Sequence, residues 1–155
     1  MYDRILVAVD TTPDESNPAL LRTEQFAKMT GATVYLLHVA RGHIVPMDIM
    51  GGSALSVVSA EDDAEEVDRL VVQQAIDHLT AAGIEAHGEL VSATEHDVAE
   101  VILLRAKELG VDLIVLGHEH HRGPGRGFRS SVAEHVIHQH PPYSILLARP
   151  PHRAS

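Results

Sequence analysis

ILVAVDTTPDESNPALLRTEQFAKMTGATVYLLHV, Ile5 to Val39, decides the fold class. Ile5 to Val9 is an uninterrupted apolar run of β-branched character, the pattern of a central strand covered on both faces. The run stops at Asp10, and turn-forming residues follow in DTTPDESNP. Asn17 before Pro18 predicts a helix start, because proline fits the first helical position and forces its predecessor extended. That helix is expected to run to about Thr30 and to be closed by Gly31. TVYLLHV, Thr33 to Val39, reads as a second buried strand. Strand, helix and strand in this order make a βαβ unit, whose parallel crossover is right-handed, so a parallel α/β sheet is expected.

The same alternation continues downstream. Residues 40 to 59, ARGHIVPMDIMGGSALSVVS, mix glycines, a proline and apolar residues without sustained period and predict a long, partly mobile loop. Ser59 with Asp62 resembles a capping box, after which Ala64, Val67, Val71, Ala75 and Leu79 recur at helical spacing up to about Ala82. The acidic run Glu61 to Glu66 suits the positive end of that helix dipole. IEAHGELV alternates and reads as a third strand near a sheet edge. Thr94 with Asp97 caps the next helix, which carries Val98, Val101, Ile102, Ala106 and Leu109 inward and ends at Gly110. DLIVLG is a fourth strand. Ser131 with Glu134 caps a helix to about His140, and Pro141-Pro142 stops it before a last strand, YSILLA. The order is β-α-β-α-β-α-β-α-β, with no internal repeat or linker, and residues 1–155 are read as one domain.

Composition excludes several functions. A net charge of -10 repels a nucleic-acid backbone and an anionic membrane surface, so neither is an expected partner. With no cysteine, the chain has neither disulfides nor thiolate metal ligands. The apolar run after MYDR is too short for a signal peptide, and no stretch reaches the roughly 20 apolar residues of a membrane span, so a cytoplasmic location is expected.

Against this acidic background stands LGHEHHRGPGRGFRSSVAEHV, Leu116 to Val136. Residues 118 to 129 carry Arg122, Arg126 and Arg129 against Glu119 alone, a local charge of +2 with histidines neutral. In open parallel sheets, ligands settle outside the C-terminal ends of strands, where Asp10, Val39 and Gly117 are expected. A basic, glycine-rich loop running into a helix start offers free N–H groups and guanidinium forks, which is the chemistry an oligophosphate needs. A solvated loop whose glycines only permit turns has the same composition.

The chain resembles the universal stress protein family along essentially its whole length: ILVAVD at the start, TVYLLHV, DLIVLG, a glycine-rich loop into SSVAEHVI, and YSILLARP. The resemblance implies a doubly wound, Rossmann-like α/β domain with a five-stranded parallel sheet of order 3-2-1-4-5. It also implies a homodimer, for which the edge strand Ser144 to Ala148 offers unpaired backbone groups. ATP-binding members carry Gly, two residues, Gly, nine residues, then Gly before Ser or Thr. Gly117 and Ser131 match the first and last positions, whereas His120 and Ser130 stand where the family has glycine. Carried over by position, Asp10 and Val39 border the adenosine and Leu116 and Gly117 close on it. Ser131 and the N–H groups near Ser130 and Val132 hold phosphate oxygens, with Arg126 and His120 in the intervening loop. The implied ligand is ATP or AMP, with Mg²⁺ as a companion ion. Ser131 is equally an adequate helix cap without ligand, and Val39 and Leu116 are core-like.

Two other readings remain. The side chains of His120 and Ser130 make a nucleotide-independent interaction protein of the same fold an alternative. The 12 histidines, grouped as His118, His120, His121 and His135, His138, His140, raise a metal site, although no HExxH motif accompanies them. His38, inside a strand pattern, reads as a satisfied core or rim residue. No nucleophile elbow, Walker lysine or carboxylate pair is present, so no catalytic residue is assigned and a binding or signalling role is expected, with slow ATP turnover as a family side activity.

Overall fold

The Ile5–Val9 run becomes the middle strand of a five-stranded parallel sheet. The structure is a computed structural model that describes residues 2–9, 17–41, 54–93, 98–117 and 132–149. Its elements are β1 (Arg4–Val9), α1 (Pro18–Thr30), β2 (Thr33–Arg41), α2 (Ala54–Ala81), β3 (Ala86–Ala93), α3 (Val98–Leu109), β4 (Leu113–Gly117), α4 (Val132–His138) and β5 (Ser144–Ala148). The strand order is β3-β2-β1-β4-β5, and every pairing is parallel, as expected.

Successive strand residues point to opposite faces of the sheet, and here both faces are covered, which is why the inner strands are apolar throughout. Ile5, Val7, Val9, Val34, Leu36, Leu113 and Val115 form one core with α1 and α2. Leu6, Leu37, Ile114 and Leu116 form the other with α3 and α4. The helix ends obey local chemistry. Asn17 is extended, and its Oδ1 accepts from the N–H groups of Ala19 (3.0 Å) and Leu20 (3.3 Å). Gly31 closes α1 at φ 73°, a left-handed conformation costly for any residue with a Cβ, and Gly110 follows α3 at φ 61°.

Two polar ties fasten layers together. At the N-terminal end of the sheet, Asp112 Oδ2 accepts from the N–H groups of Asp3 (2.8 Å) and Arg4 (3.0 Å), while the Arg4 guanidinium donates to the Leu109 carbonyl at the end of α3 (3.0 Å). Between the helices, Glu24 of α1 accepts from Lys28 and from His78 Nε2 of α2 (2.7 Å). The Lys28 bond, followed by the His78 bond, holds the Glu24 carboxyl below the usual carboxylate range.

Two sequence expectations need correction. The second helix does not begin at Ser59 but at Ala54, so Ser59 is interior and its capping box with Asp62 does not form the helix start. No proline or glycine interrupts Ala54 to Ala60, and once nucleated a helix gains a bond for each residue added, so it propagates back toward Gly51-Gly52. Val67, expected inward, is 58% exposed, and Asp68 takes the inward place. The buried stripe is set by Val71, Val72, Ala75 and Leu79, and a 3.6-residue turn rotates the position four residues before Val71 off that stripe. In α3, Val98, Ile102 and Ala106 are buried and Val101 and Leu109 partly so, as the spacing predicts. Of the loop expected over residues 40–59, residues 40–41 continue β2 and residues 54–59 belong to α2; residues 42–53 and the capping pair Thr94 and Asp97 lie outside the described residues.

Candidate functional site

A cleft opens in a doubly wound sheet where neighbouring strands send their crossovers to opposite faces. β1 and β4 are neighbours; α1 after β1 packs on one face and α4 after β4 on the other. The switch therefore lies at the C-terminal ends of these two strands. Register pairs Ala8 with Leu116, Val9 with His38, His38 with Leu90 and Gly117 with Ala148. Leu90, His38, Val9, Gly117 and Ala148 consequently form one row across the rim, and Val39 stands one step beyond it.

Four of the residues assigned to nucleotide binding from sequence are described. Leu116 is buried in the α3–α4 core, and Val39 and Val132 are partly buried against that same core. Val132 also begins α4. Gly117 is exposed, and a Cβ added there would meet nothing within 4 Å among the described residues. The strand ends thus present a flat backbone step at Gly117 flanked by apolar side chains. Asp10, His120, Arg126, Ser130 and Ser131 lie outside the described residues, as do His118 and His121.

His38 proves more specific than a core residue that merely finds a partner. Its ring is 0% exposed, faces α2, and holds Nδ1 2.8 Å from the Val9 carbonyl oxygen and Nε2 2.8 Å from Asp68 Oδ1. Sequence reasoning saw the histidine and missed Asp68. The available signal was an acidic residue three positions before Val71, on the buried side of the α2 stripe.

His135 and His138 both lie exposed on α4, and among the described residues no three His, Cys, Asp or Glu side chains gather as metal ligands do. Among the described residues, no helix is long and apolar enough to cross a membrane.

Comparison with solved structures places the chain beside universal stress proteins. A family protein from Burkholderia pseudomallei is 27% identical with a TM-score of 0.70, each chain being covered over 97% of its length. A universal stress protein from Archaeoglobus fulgidus in complex with dAMP is 21% identical, TM-score 0.60, with 95% of this chain and 98% of that one covered. A universal stress protein in complex with cAMP is 18% identical, TM-score 0.64, over 97% and 98% of the two chains, and at such identities the likeness is one of fold. Comparison with curated protein sequences finds no match. Residues 1–142 match the model of the universal stress protein family, and the chain belongs to that family.

Proposed function

We propose that this chain is a single-domain, cytoplasmic stress-response protein that binds an adenine nucleotide, ATP with Mg²⁺ or AMP, at the C-terminal ends of β1, β2 and β4. The observation that carries the reading is the switch between β1 and β4, where a Cβ built at Gly117 meets nothing within 4 Å among the described residues. Asp10 and Val39 border the adenosine and Leu116 and Gly117 lie beneath it, Leu116 contributing backbone because its side chain is buried. Ser130, Ser131 and Val132 supply phosphate contacts at the approach to α4, with Arg126 as the cation of the loop and His120 beside it. The dAMP and cAMP complexes of fold relatives support this ligand class. The role is binding and signalling, with no catalytic residue assigned. A homodimer pairs through the exposed edge of β5, Ser144–Ala148, and a monomer by light scattering counts against that pairing.

Calorimetry with Mg-ATP, AMP and cyclic AMP is expected to return saturable heat with at least one of them; no heat in a folded sample rejects the proposal. Gly117→Leu is the sharper test. A Cβ built at this position meets nothing within 4 Å among the described residues, so the melting temperature is expected to move by no more than about 2 °C. Nucleotide affinity is expected to fall at least about tenfold, because the side chain occupies the volume assigned to the adenosine. Unchanged affinity in the variant removes the ligand from this rim. The second reading, a nucleotide-independent interaction protein, is favoured by His120 and Ser130 at the two glycine positions of the family signature. Stoichiometric nucleotide in mass spectra of gently purified protein eliminates it.

A further inference from the structure

A neutral imidazole offers one donor and one acceptor, whereas both ring nitrogens of His38 face acceptors. Nδ1 lies 2.8 Å from the Val9 carbonyl, which can only accept, so Nδ1 carries a proton. Nε2 lies 2.8 Å from Asp68 Oδ1, so a second proton lies between that nitrogen and that oxygen, whichever of the two holds it formally. The ring is fully buried, and two lone pairs facing each other there have no water to separate them. Removing the second proton therefore opens one contact: either Asp68 parts from Nε2, or the ring changes tautomer and Nδ1 parts from Val9. Asp68 is 20% exposed, which gives that proton a route to solvent.

The position of this pair gives it consequences. Val9 is the last residue of β1 and precedes Asp10; His38 precedes Val39; Asp68 belongs to α2. One imidazole thus joins the end of β1, the C-terminal half of β2 and the helix packed on them. We propose that His38 and Asp68 form a proton-linked latch that holds the β1–β2 rim against α2, so that nucleotide affinity falls as pH rises. The affinity half of this statement rests on the site described under Proposed function; the latch itself does not. Among the described residues, other charges nearby are accounted for. Glu65 and Arg69 on α2 pair with each other at the exposed surface. Glu24, Lys28 and His78 form their own network further along α1 and α2. β1 presents the Val9 carbonyl, and β3 presents Leu90 in register with His38.

Asp68→Asn provides the discriminating variant. An amide can donate its own N–H to Nε2, so a neutral ring with Nδ1–H satisfies both contacts and the latch stays closed without the extra proton. The experiment is a ring-nitrogen NMR titration of histidine-labelled protein over the whole pH range in which the protein stays folded, with His38 assigned through His38→Gln. In the unliganded wild type, the His38 ring is expected to pass from doubly to singly protonated character. The amides of Asp10 and Val39 are expected to follow with the same midpoint. In Asp68→Asn the ring is expected to be singly protonated throughout and the rim amides to lose that step. Mg-ATP affinity is expected to fall at least about tenfold across the series in the wild type and less than about twofold in the variant.

A His38 ring singly protonated across the whole wild-type series overturns the latch. Equal pH dependence of affinity in wild type and variant overturns its control of the rim. Should no nucleotide bind at any pH, the site reading fails by itself, and the rim amides still decide the latch: a step shared with the ring upholds it, and no step overturns it.

Discussion

Ile114→Ala is expected to lower the free energy of unfolding by about 4 kcal/mol and the thermal midpoint by about 8 to 16 °C. Ile114 is 0% exposed and lies on β4, in register with Leu6 of β1 and Ile145 of β5. Its side chain enters the core formed with Ile102 and Ala106 of α3 and Val136 of α4. A strand paired on both sides cannot sag into the space that truncation leaves, so the lost transfer energy is joined by most of the cavity term. Guanidinium denaturation checks this, with a lower midpoint and an unchanged m value. Leu104→Ala on the same helical layer is the control: that residue is 56% exposed, and the change is expected within about 0.5 kcal/mol. Equal effects at the two positions would sink the two-faced core.

Gly88→Val is expected to cost about 3 kcal/mol through overpacking. A Cβ built on Gly88 would lie 2.5 Å from Ile76 Cδ1 and 2.6 Å from Val72 Cγ1, so α2 rests directly on the backbone of β3 at this point. Valine adds two methyl groups to a space that has no room for the first carbon. Among the described residues β3 pairs with β2 alone, so the strain is relieved by moving this strand and loosening its ladder. Repeating the substitution in an Ile76→Ala background is expected to recover at least about 1 kcal/mol, since Ile76 Cδ1 is then absent and the Val72 Cγ1 clash remains. Strictly additive costs would show that the α2 contact is not the origin of the effect.

Much of the fold is legible because its signals are local. Asn17 and Pro18 start α1, and Gly31 ends it, through bonds and backbone angles confined to a few residues. The start of α2 was less legible. Ser59 carries the chemistry of a cap, yet a cap is used only where the chain leaves the helix, and the residues before it have no reason to leave. Gly88 reads in sequence as a break in an alternating strand; only the arrival of Val72 and Ile76 makes it a close approach. For the candidate site, the end of β4 at Leu116 and Gly117 follows from the apolar run itself, whereas β2 continues past Val39 to Arg41. The distinction between an exposed Gly117 and a buried Leu116 requires α4 packed on one face.

Taken alone, the order of residues determined the alternation of strands and helices, the covered sheet, the caps of α1 and the placement of a glycine at the switch. Each depends on neighbours a few positions away or on a repeat of 2.0 or 3.6 residues. Tertiary structure alone decided that α2 turns Asp68 rather than Val67 inward and sets it against His38, 30 residues away in the chain. The physical reason is that apolar periodicity records which side of an element avoids water, whereas a buried polar contact depends on which two elements cross and at what height. That crossing leaves one imidazole between two acceptors and ties its proton to the rim.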